Sequence, residues 1–232
     1  MSTHLPRRLL SLYVGLALYG ISSGLLVRAG LGLQPWGVLD QGIARRTGLS
    51  IGEASIIVGA LVLLLWIPLR ERPGLGTLSN VFAIGAFMDG TLAVVPDVRG
   101  LLAQVPLAAA AIVCNGAATG LYISARFGAG PRDGLMTGLH RATGRSVRLV
   151  RTSLEAAVVA TGFLLGGSLG VGTALYALAI GPLAQFFLRV FALPEPARAV
   201  AAPAGPGPKA PSTCACAPSR TAAPRDRAIL PG

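Results

Sequence analysis

Charged residues are scarce in this chain of 232 residues, where 12% are Asp, Glu, Lys or Arg and 53% are hydrophobic. Soluble domains carry about 25% charged residues, so the composition excludes an ordinary soluble fold. The chain also lacks the alternating segments of about ten residues that a membrane β-barrel requires. The remaining expectation is an all-α membrane protein, because a backbone crossing lipid must satisfy its own hydrogen bonds.

Residues that carry catalytic or metal chemistry are equally few. The chain has two histidines and three cysteines, with no metal-ligand spacing, nucleophile elbow or phosphate-binding loop. Cys114 falls in an apolar run, where a buried thiol is expected. Cys214 and Cys216 form a lone Cys-Ala-Cys near the end of the chain, which is a weak metal signal. The sequence therefore predicts neither an enzyme nor a cofactor.

Long apolar runs dominate the rest, and six reach the roughly 20 residues that a helix needs to cross a bilayer. They cover residues 9–27, 50–69, 77–95, 101–123, 149–169 and 172–194. The first run follows a pair of arginines, as a signal peptide does, but it is too long for one. It also has an internal counterpart, so we predict a polytopic helical bundle of about six spans.

The membrane portion repeats itself at an offset of 96 residues, which we take as an internal duplication. Matched positions include Gly20 with Gly116, Gly24 with Gly120, Pro35 with Pro131, Gly48 with Gly144 and Thr77 with Thr173. The copies span residues 9–97 and 98–194. With three spans each, the second copy enters the membrane from the opposite side, which gives a 3+3 inverted-topology repeat.

The basic residues indicate orientation. If residues 1–8 are cytoplasmic, the predicted inner segments carry 16 Lys and Arg residues and the outer ones carry four, namely Arg28, Arg45, Arg46 and Arg99. This split fits the positive-inside rule with both termini cytoplasmic in the cell membrane. The net charge of +11 then reflects topology and contact with anionic lipid, and no nucleic-acid partner is expected. Residues 195–232, rich in Ala, Pro and Gly, are predicted to be a disordered cytoplasmic tail.

Two Gly-x-x-x-Gly pairs occupy matching positions of the first span in each copy, Gly20 with Gly24 and Gly116 with Gly120. Such pairs allow close approach of membrane helices. We expect them to serve packing, with the two helices crossing near the pseudo-two-fold axis.

A Gly-x-Gly-Thr sequence opens the third span of each copy, at residues 74–77 and 170–173. The threonine is expected to satisfy a free backbone N–H at the helix start. Alternatively, the positive end of each helix faces an anionic group.

The segments 31–48 and 127–144 are too short to span a membrane, and each begins with Gly-x-x-Pro. They are either loops with an interfacial helix or re-entrant half-helices. The second arrangement is tolerated only where protein or a water-filled cavity covers the segment.

These motifs resemble those of a known protein family. Residues 32–39 (Gly-Leu-Gln-Pro-Trp-Gly-Val-Leu), residues 130–136 (Gly-Pro-Arg-Asp-Gly-Leu-Met) and the Gly-x-Gly-Thr helix starts resemble the YczE group of the YczE/YyaS/YitT bacterial membrane proteins. The resemblance implies a multi-spanning integral membrane protein and supplies no catalytic residues. It also implies an Asp after Pro-Trp, where this chain has Gly37, the repeat mate of Asp133. Asp40 lies three positions later and can reach the same helical face.

Ionisable and amide residues inside spans are candidates for a substrate or ion pathway. Asp89 lies deep in the third span, below Asn80, and its repeat mate is Gln185. We weigh a substrate or proton site at Asp89 against a structural hydrogen-bonded acid. Glu155 lies four residues after Arg151, a spacing that favours an ion pair.

Arg132 and Asp133 are adjacent in the second short segment. They form either an interfacial salt-bridging turn or the lining of a cytoplasmic vestibule, where Arg132 could hold a carboxylate or phosphate.

Inverted repeats, broken segments and sparse intramembrane acids together predict a small transporter for a solute or ion. The alternative is a non-transporting accessory or regulatory membrane protein that supports a biosynthetic or export system. The basic tail favours that alternative, through a protein partner or a homodimer.

Overall fold

The computed structural model describes residues 5–191, and every regular element in that range is an α-helix. The helices are α1 (Leu5–Ala29), α2 (Pro35–Thr47), α3 (Ile51–Leu69), α4 (Leu75–Val94), α5 (Leu101–Ser124), α6 (Pro131–Thr143), α7 (Val147–Leu164) and α8 (Val171–Val190). The predicted all-α bundle is confirmed. The predicted tail, with Cys214 and Cys216, lies outside the described residues.

The helix bounds repeat along the chain. Shifting α1 to α4 by 96 residues places each helix on its counterpart among α5 to α8, and no end differs by more than one residue. Each copy thus consists of a long helix, a short one and two more long ones, and the boundary at residue 97 falls in the loop between α4 and α5. The inverted relation of the copies across a membrane stays a prediction.

Local signals set the ends of the short helices in the same way in both copies. Pro35 and Pro131 lie in the first turn, where the missing N–H has no partner to lose. Gly48 and Gly144 end the helices in the left-handed conformation, with φ of 77° and 66°, which glycine adopts without strain. A capping serine then begins the next helix in each copy.

Five helices, α1, α3, α4, α5 and α8, are long and apolar enough to cross a membrane. The remaining predicted span, residues 149–169, corresponds to α7. This helix ends at Leu164 and carries Arg148, Arg151 and Glu155. It is therefore shorter and more highly charged than an ordinary membrane-spanning helix. Five of the six predicted spans therefore stand on length and composition, and a crossing by α7 stays a prediction.

Helix packing follows the duplication. The two first helices, α1 and α5, pack on each other at the centre, α4 packs on α1, and α8 packs on α5. The copies also exchange contacts, because α2 of the first copy packs on α7 and α6 of the second packs on α3. The copies therefore share one core and are not two independent bundles.

The glycine pairs pack helices within a copy. A Cβ added to Gly20 would lie 2.7 Å from the carbonyl oxygen of Ile84 in α4, and one on Gly116 would lie 2.8 Å from Cβ of Leu183 in α8. Gly24 and Gly120 likewise face α4 and α8. The predicted packing role fits this geometry, and α1 and α5 also pack on each other, although through other positions than these glycine pairs. Gly15, which lies against the α5 backbone, allows the close approach of α1 to α5.

The start of α4 and of α8 is satisfied by the opposite copy. The Gly76 N–H donates to the carbonyl of Phe127 at 3.0 Å, and the Gly172 N–H donates to the carbonyl of Leu31 at 2.8 Å. Thr77 Oγ1 accepts from the Gly74 N–H and donates to a backbone carbonyl. Backbone carbonyls thus occupy these helix ends, which favours the capping interpretation over an anion site.

One pair of equivalent interfaces breaks the symmetry. Helix α3 packs along α4, whereas α7 does not pack comparably on α8. A Cβ on Gly85 of α4 would lie 2.6 Å from the carbonyl oxygen of Gly52 in α3, but its repeat mate Gly181 has nothing within 4 Å. The first copy is therefore closed where the second is open.

Asp89 holds the closed interface through a group of contacts that we call the Asp89 latch, made of Ser50, Gly52 and Asp89. Its carboxylate accepts from the Ser50 hydroxyl at 2.5 Å and from the Gly52 N–H at 2.8 Å. A carboxylate at the start of a helix is favoured by the free N–H groups and the dipole there. Asp89 therefore makes the contacts of the structural acid considered from the sequence.

Candidate functional site: a cavity between the two copies

A cavity of about 270 Å³ lies between the two copies. Side chains from α1, α2 and from α4 through α8 line it. Helices α7 and α8 both line the cavity and do not pack along each other, which leaves a gap between them in the cavity wall. The Asp89 latch closes the equivalent gap between α3 and α4.

The starts of the two short helices meet at this cavity. Trp36 and Arg132 are repeat mates, and the Arg132 guanidinium lies 4.9 Å from the centre of the Trp36 ring, a cation–π distance. Two repeat mates, one from each copy, are thus in direct contact. Neither helix start has a side-chain cap. This meeting of tips in the interior is the geometry expected of re-entrant half-helices.

Asp40 lies behind Arg132 and is 1% exposed. Its Oδ2 accepts from the Arg132 guanidinium at 3.4 Å, while Oδ1 has no hydrogen-bond partner. A buried carboxylate without its cation would be strongly disfavoured. Arg132 is therefore held by an acid of the other copy and by an aromatic ring.

Asp133 sits beside Arg132 in the first turn of α6 and is exposed on the cavity wall. Its Oδ2 accepts from the Tyr122 hydroxyl at 3.0 Å. Within residues 5–191 it makes no ion pair. A carboxylate is thus presented to the cavity with one hydroxyl donor and no cation.

Arg151 and Glu155 of α7 form the other charged wall. Their side chains are joined by a hydrogen bond of 3.0 Å across one helical turn, as their spacing predicts. Both line the cavity where it opens toward α8. Their charges are mutually neutralised, unlike that of Asp133.

A buried polar network lies behind the cavity wall, which it reaches through Gln34 and Tyr176, and sequence reasoning missed it. Asn115 is 0% exposed, donates to Ser22 Oγ at 2.9 Å and accepts from the Tyr176 hydroxyl at 2.8 Å. Gln34 donates to Ser23 Oγ at 3.2 Å. An amide inside a predicted span was the available signal, but its partners lie 61 to 93 positions away in the sequence.

The sequence candidates divide into three places. The cavity wall holds Arg132, Asp133, Glu155, Asn80 and Gln185. Asp40 contacts the cavity only through Arg132, and Asp89 lies away from it at the start of α3. Within the described range, no group of three His, Cys, Asp or Glu side chains is arranged to hold a metal ion.

Comparison with known proteins gives relatives of similar length. The profile of a family of unknown function, DUF6198, matches residues 6–189. An "Uncharacterized protein" of Haemophilus influenzae is 43% identical over 78% of this chain and 83% of its own length. The "Uncharacterized membrane protein YczE" of Bacillus subtilis is 33% identical over 73% of this chain and 79% of its own. "Uncharacterized protein YyaS" of the same organism is 25% identical over 76% and 90%. No solved structure matches the chain.

Proposed function

The chain belongs to the DUF6198 family of YczE-like membrane proteins, and we propose that it is a small secondary transporter for a solute or ion in the cytoplasmic membrane. The observation that carries the proposal is the unequal state of the two equivalent interfaces. Helices α3 and α4 pack along each other, whereas α7 and α8, which both line the cavity, do not.

The duplication provides a second conformation that is built from equivalent helix contacts. In an inverted repeat, exchanging the conformations of the two copies converts a cavity open to one side into a cavity open to the other. The exchanged state has α7 and α8 in contact through Gly181, and α3 and α4 apart. Breaking the Asp89 latch and closing α7 on α8 would be two parts of one motion.

The charge distribution supports one orientation of the cavity in the membrane. With the N-terminus cytoplasmic, α7 begins at the cytoplasmic side, and its start carries Arg148 and Arg151. The structure then corresponds to a cavity open to the cytoplasm, with the Asp89 latch closing the outer side.

Two matched cysteine pairs test the exchange without knowledge of the solute. One pair replaces Ser50 and Asp89 across the closed interface, and the other replaces their repeat mates Ser146 and Gln185 across the open one. Both are made in a full chain whose three native cysteines are changed to Ser or Ala, and are reconstituted in lipid. We expect short thiol cross-linkers to join both pairs in turn, because each interface closes in one of the two states.

A static protein gives a different pattern. In that case the first pair is joined completely by the short reagent, while the second pair is joined only by long reagents. That result would reject alternating access and favour the accessory alternative, whose supporting feature, the tail, lies outside the described residues.

A further inference from the structure

We propose that the transported solute carries a positively charged amine, and that the Asp133 carboxylate binds it inside the cavity. This assignment deepens the transport function proposed above and rests on it. The juxtaposition that carries it is a carboxylate without an ion pair, tyrosine rings and a small cavity at one place.

The charges of the cavity favour a cation. Of the two arginines on its wall, Arg132 is paired with Asp40 and Arg151 with Glu155. Among the described residues, these pairings leave Asp133 as the carboxylate on the cavity wall that makes no ion pair. An anion would meet arginines whose charge is already balanced by Asp40 and Glu155, whereas an ammonium group can pair with Asp133 directly.

The surroundings of Asp133 hold its carboxylate in one orientation. It lies in the first turn of α6, where the helix dipole favours a negative charge. The Tyr122 hydroxyl donates to one carboxylate oxygen and leaves the other for a ligand. An ammonium group donates hydrogen bonds and accepts none, so it complements that second oxygen.

Aromatic side chains line the same cavity as this carboxylate. Tyr19, Tyr122 and Tyr176 line the cavity, and the rings of Tyr19 and Tyr122 meet edge to face with centroids 6.2 Å apart. Ring faces attract desolvated cations. The Trp36 ring already carries the Arg132 guanidinium, so the tyrosines are the rings left for a ligand.

The volume restricts the solute to a small molecule. About 270 Å³ lies just below the range of about 300–1,000 Å³ that is usual for small-molecule sites. A short alkylamine fits that space, whereas a lipid or a peptide does not.

Binding to the full-length protein in lipid nanodiscs provides the test. The probes are propylammonium, propionate and propionamide, which share a three-carbon frame and differ in charge. We expect propylammonium to raise the melting temperature and change the fluorescence of Trp36 at concentrations at least tenfold below those at which propionate or propionamide acts. In proteoliposomes, a propylammonium jump should also produce an electrical current.

The variant Asp133→Asn should weaken propylammonium binding at least tenfold, because it removes the charge and keeps the shape. Asp97→Asn is the matched control, since Asp97 pairs with Arg28 away from the cavity, and it should bind as the parent does. Tyr122→Phe keeps the ring and removes the hydroxyl, and we expect binding weakened by a few-fold.

Tighter binding of propionate than of propylammonium in the parent protein would overturn the amine assignment, as would undiminished binding by Asp133→Asn. The comparison of probes in the parent decides the question even if that variant does not fold. Failure here is distinguishable from failure of the transport proposal. Paired cross-linking of both interfaces together with propionate binding would keep the transporter and discard the amine.

Discussion

At the scale of single residues, the duplication keeps positions and changes their chemistry. Trp36 and Arg132 occupy the same place in the two copies and stack on each other. Asp89 fixes one interface through two hydrogen bonds, whereas its mate Gln185 lines the cavity. The acid that accompanies Arg132 comes from a third position, Asp40, rather than from a symmetry-related one. Divergence between mates thus gives the second copy most of the charged side chains of the site.

The pair of Arg132 and Asp40 gives a prediction at this scale. Changing Arg132→Met leaves a buried carboxylate without its cation, so we expect a loss of about 3 kcal/mol in the free energy of unfolding, at the low end for a buried pair because the contact is long. The double variant Arg132→Met with Asp40→Asn should recover most of that loss, since no charge is then left unpaired. Melting temperatures followed by tryptophan fluorescence measure both. Additive losses would show that the two side chains do not interact.

At the scale of helices, the difference between the copies lies in one helix pair. Close approach of α3 to α4 depends on Gly52 and Gly85, whose backbones meet directly. The equivalent positions in the second copy are Arg148 and Gly181, and the second glycine faces open space. In this conformation no neighbouring helix requires a glycine at position 181. Contact with α7 in the exchanged state would require one.

Matched alanine substitutions test that interpretation. Gly85→Ala would place a methyl group against the Gly52 carbonyl, so it should force α3 from α4 and lower the melting temperature. Gly181→Ala should leave stability unchanged or raise it by about 0.5–1 kcal/mol, the ordinary gain of replacing a helical glycine.

The Gly181→Ala variant also tests the closure of α7 on α8. Gly181→Ala should reduce short cross-linking between cysteines at positions 146 and 185, because the added methyl group hinders closure of α7 on α8. Undiminished cross-linking by that variant would mean that Gly181 takes no part in closing.

At the scale of the whole molecule, the helices interlock across the copies. Helix α2 packs on α7, α6 packs on α3, and the starts of α4 and α8 each bind a carbonyl of the opposite copy. Because every copy completes the other, neither is expected to fold alone. The same interlocking allows a change at one interface to reach the equivalent one.

Opposite orientation of the copies predicts opposite labelling. Thr47 and Thr143 are repeat mates at the ends of α2 and α6, and both are exposed. As single cysteines in a cysteine-free chain, position 47 should react with a membrane-impermeant maleimide in intact cells. Position 143 should react only after the membrane is opened. Labelling of both from one side would reject the inverted topology.

The sequence predicted the helical class and most of the helix ends because both depend on local chemistry. Apolar length defines the spans, Pro35 and Pro131 start the short helices, and Gly48 and Gly144 end them. The exception was α7, whose charged residues make it a poorer span than a hydropathy pattern suggests. The pairing of Arg151 with Glu155 also followed from spacing alone, since it lies within one helical turn.

The sequence by itself determined the duplication, the membrane setting and the candidate charges, because these follow from composition and from residues near each other in the chain. Only the tertiary structure decided which charges are satisfied. Asp40 meets Arg132 across 92 positions, and Asp89 meets the start of α3 across 37 to 39. It also decided which interface is closed, since the two copies carry nearly the same local signals. Packing between helices distinguishes them, and that depends on the whole bundle.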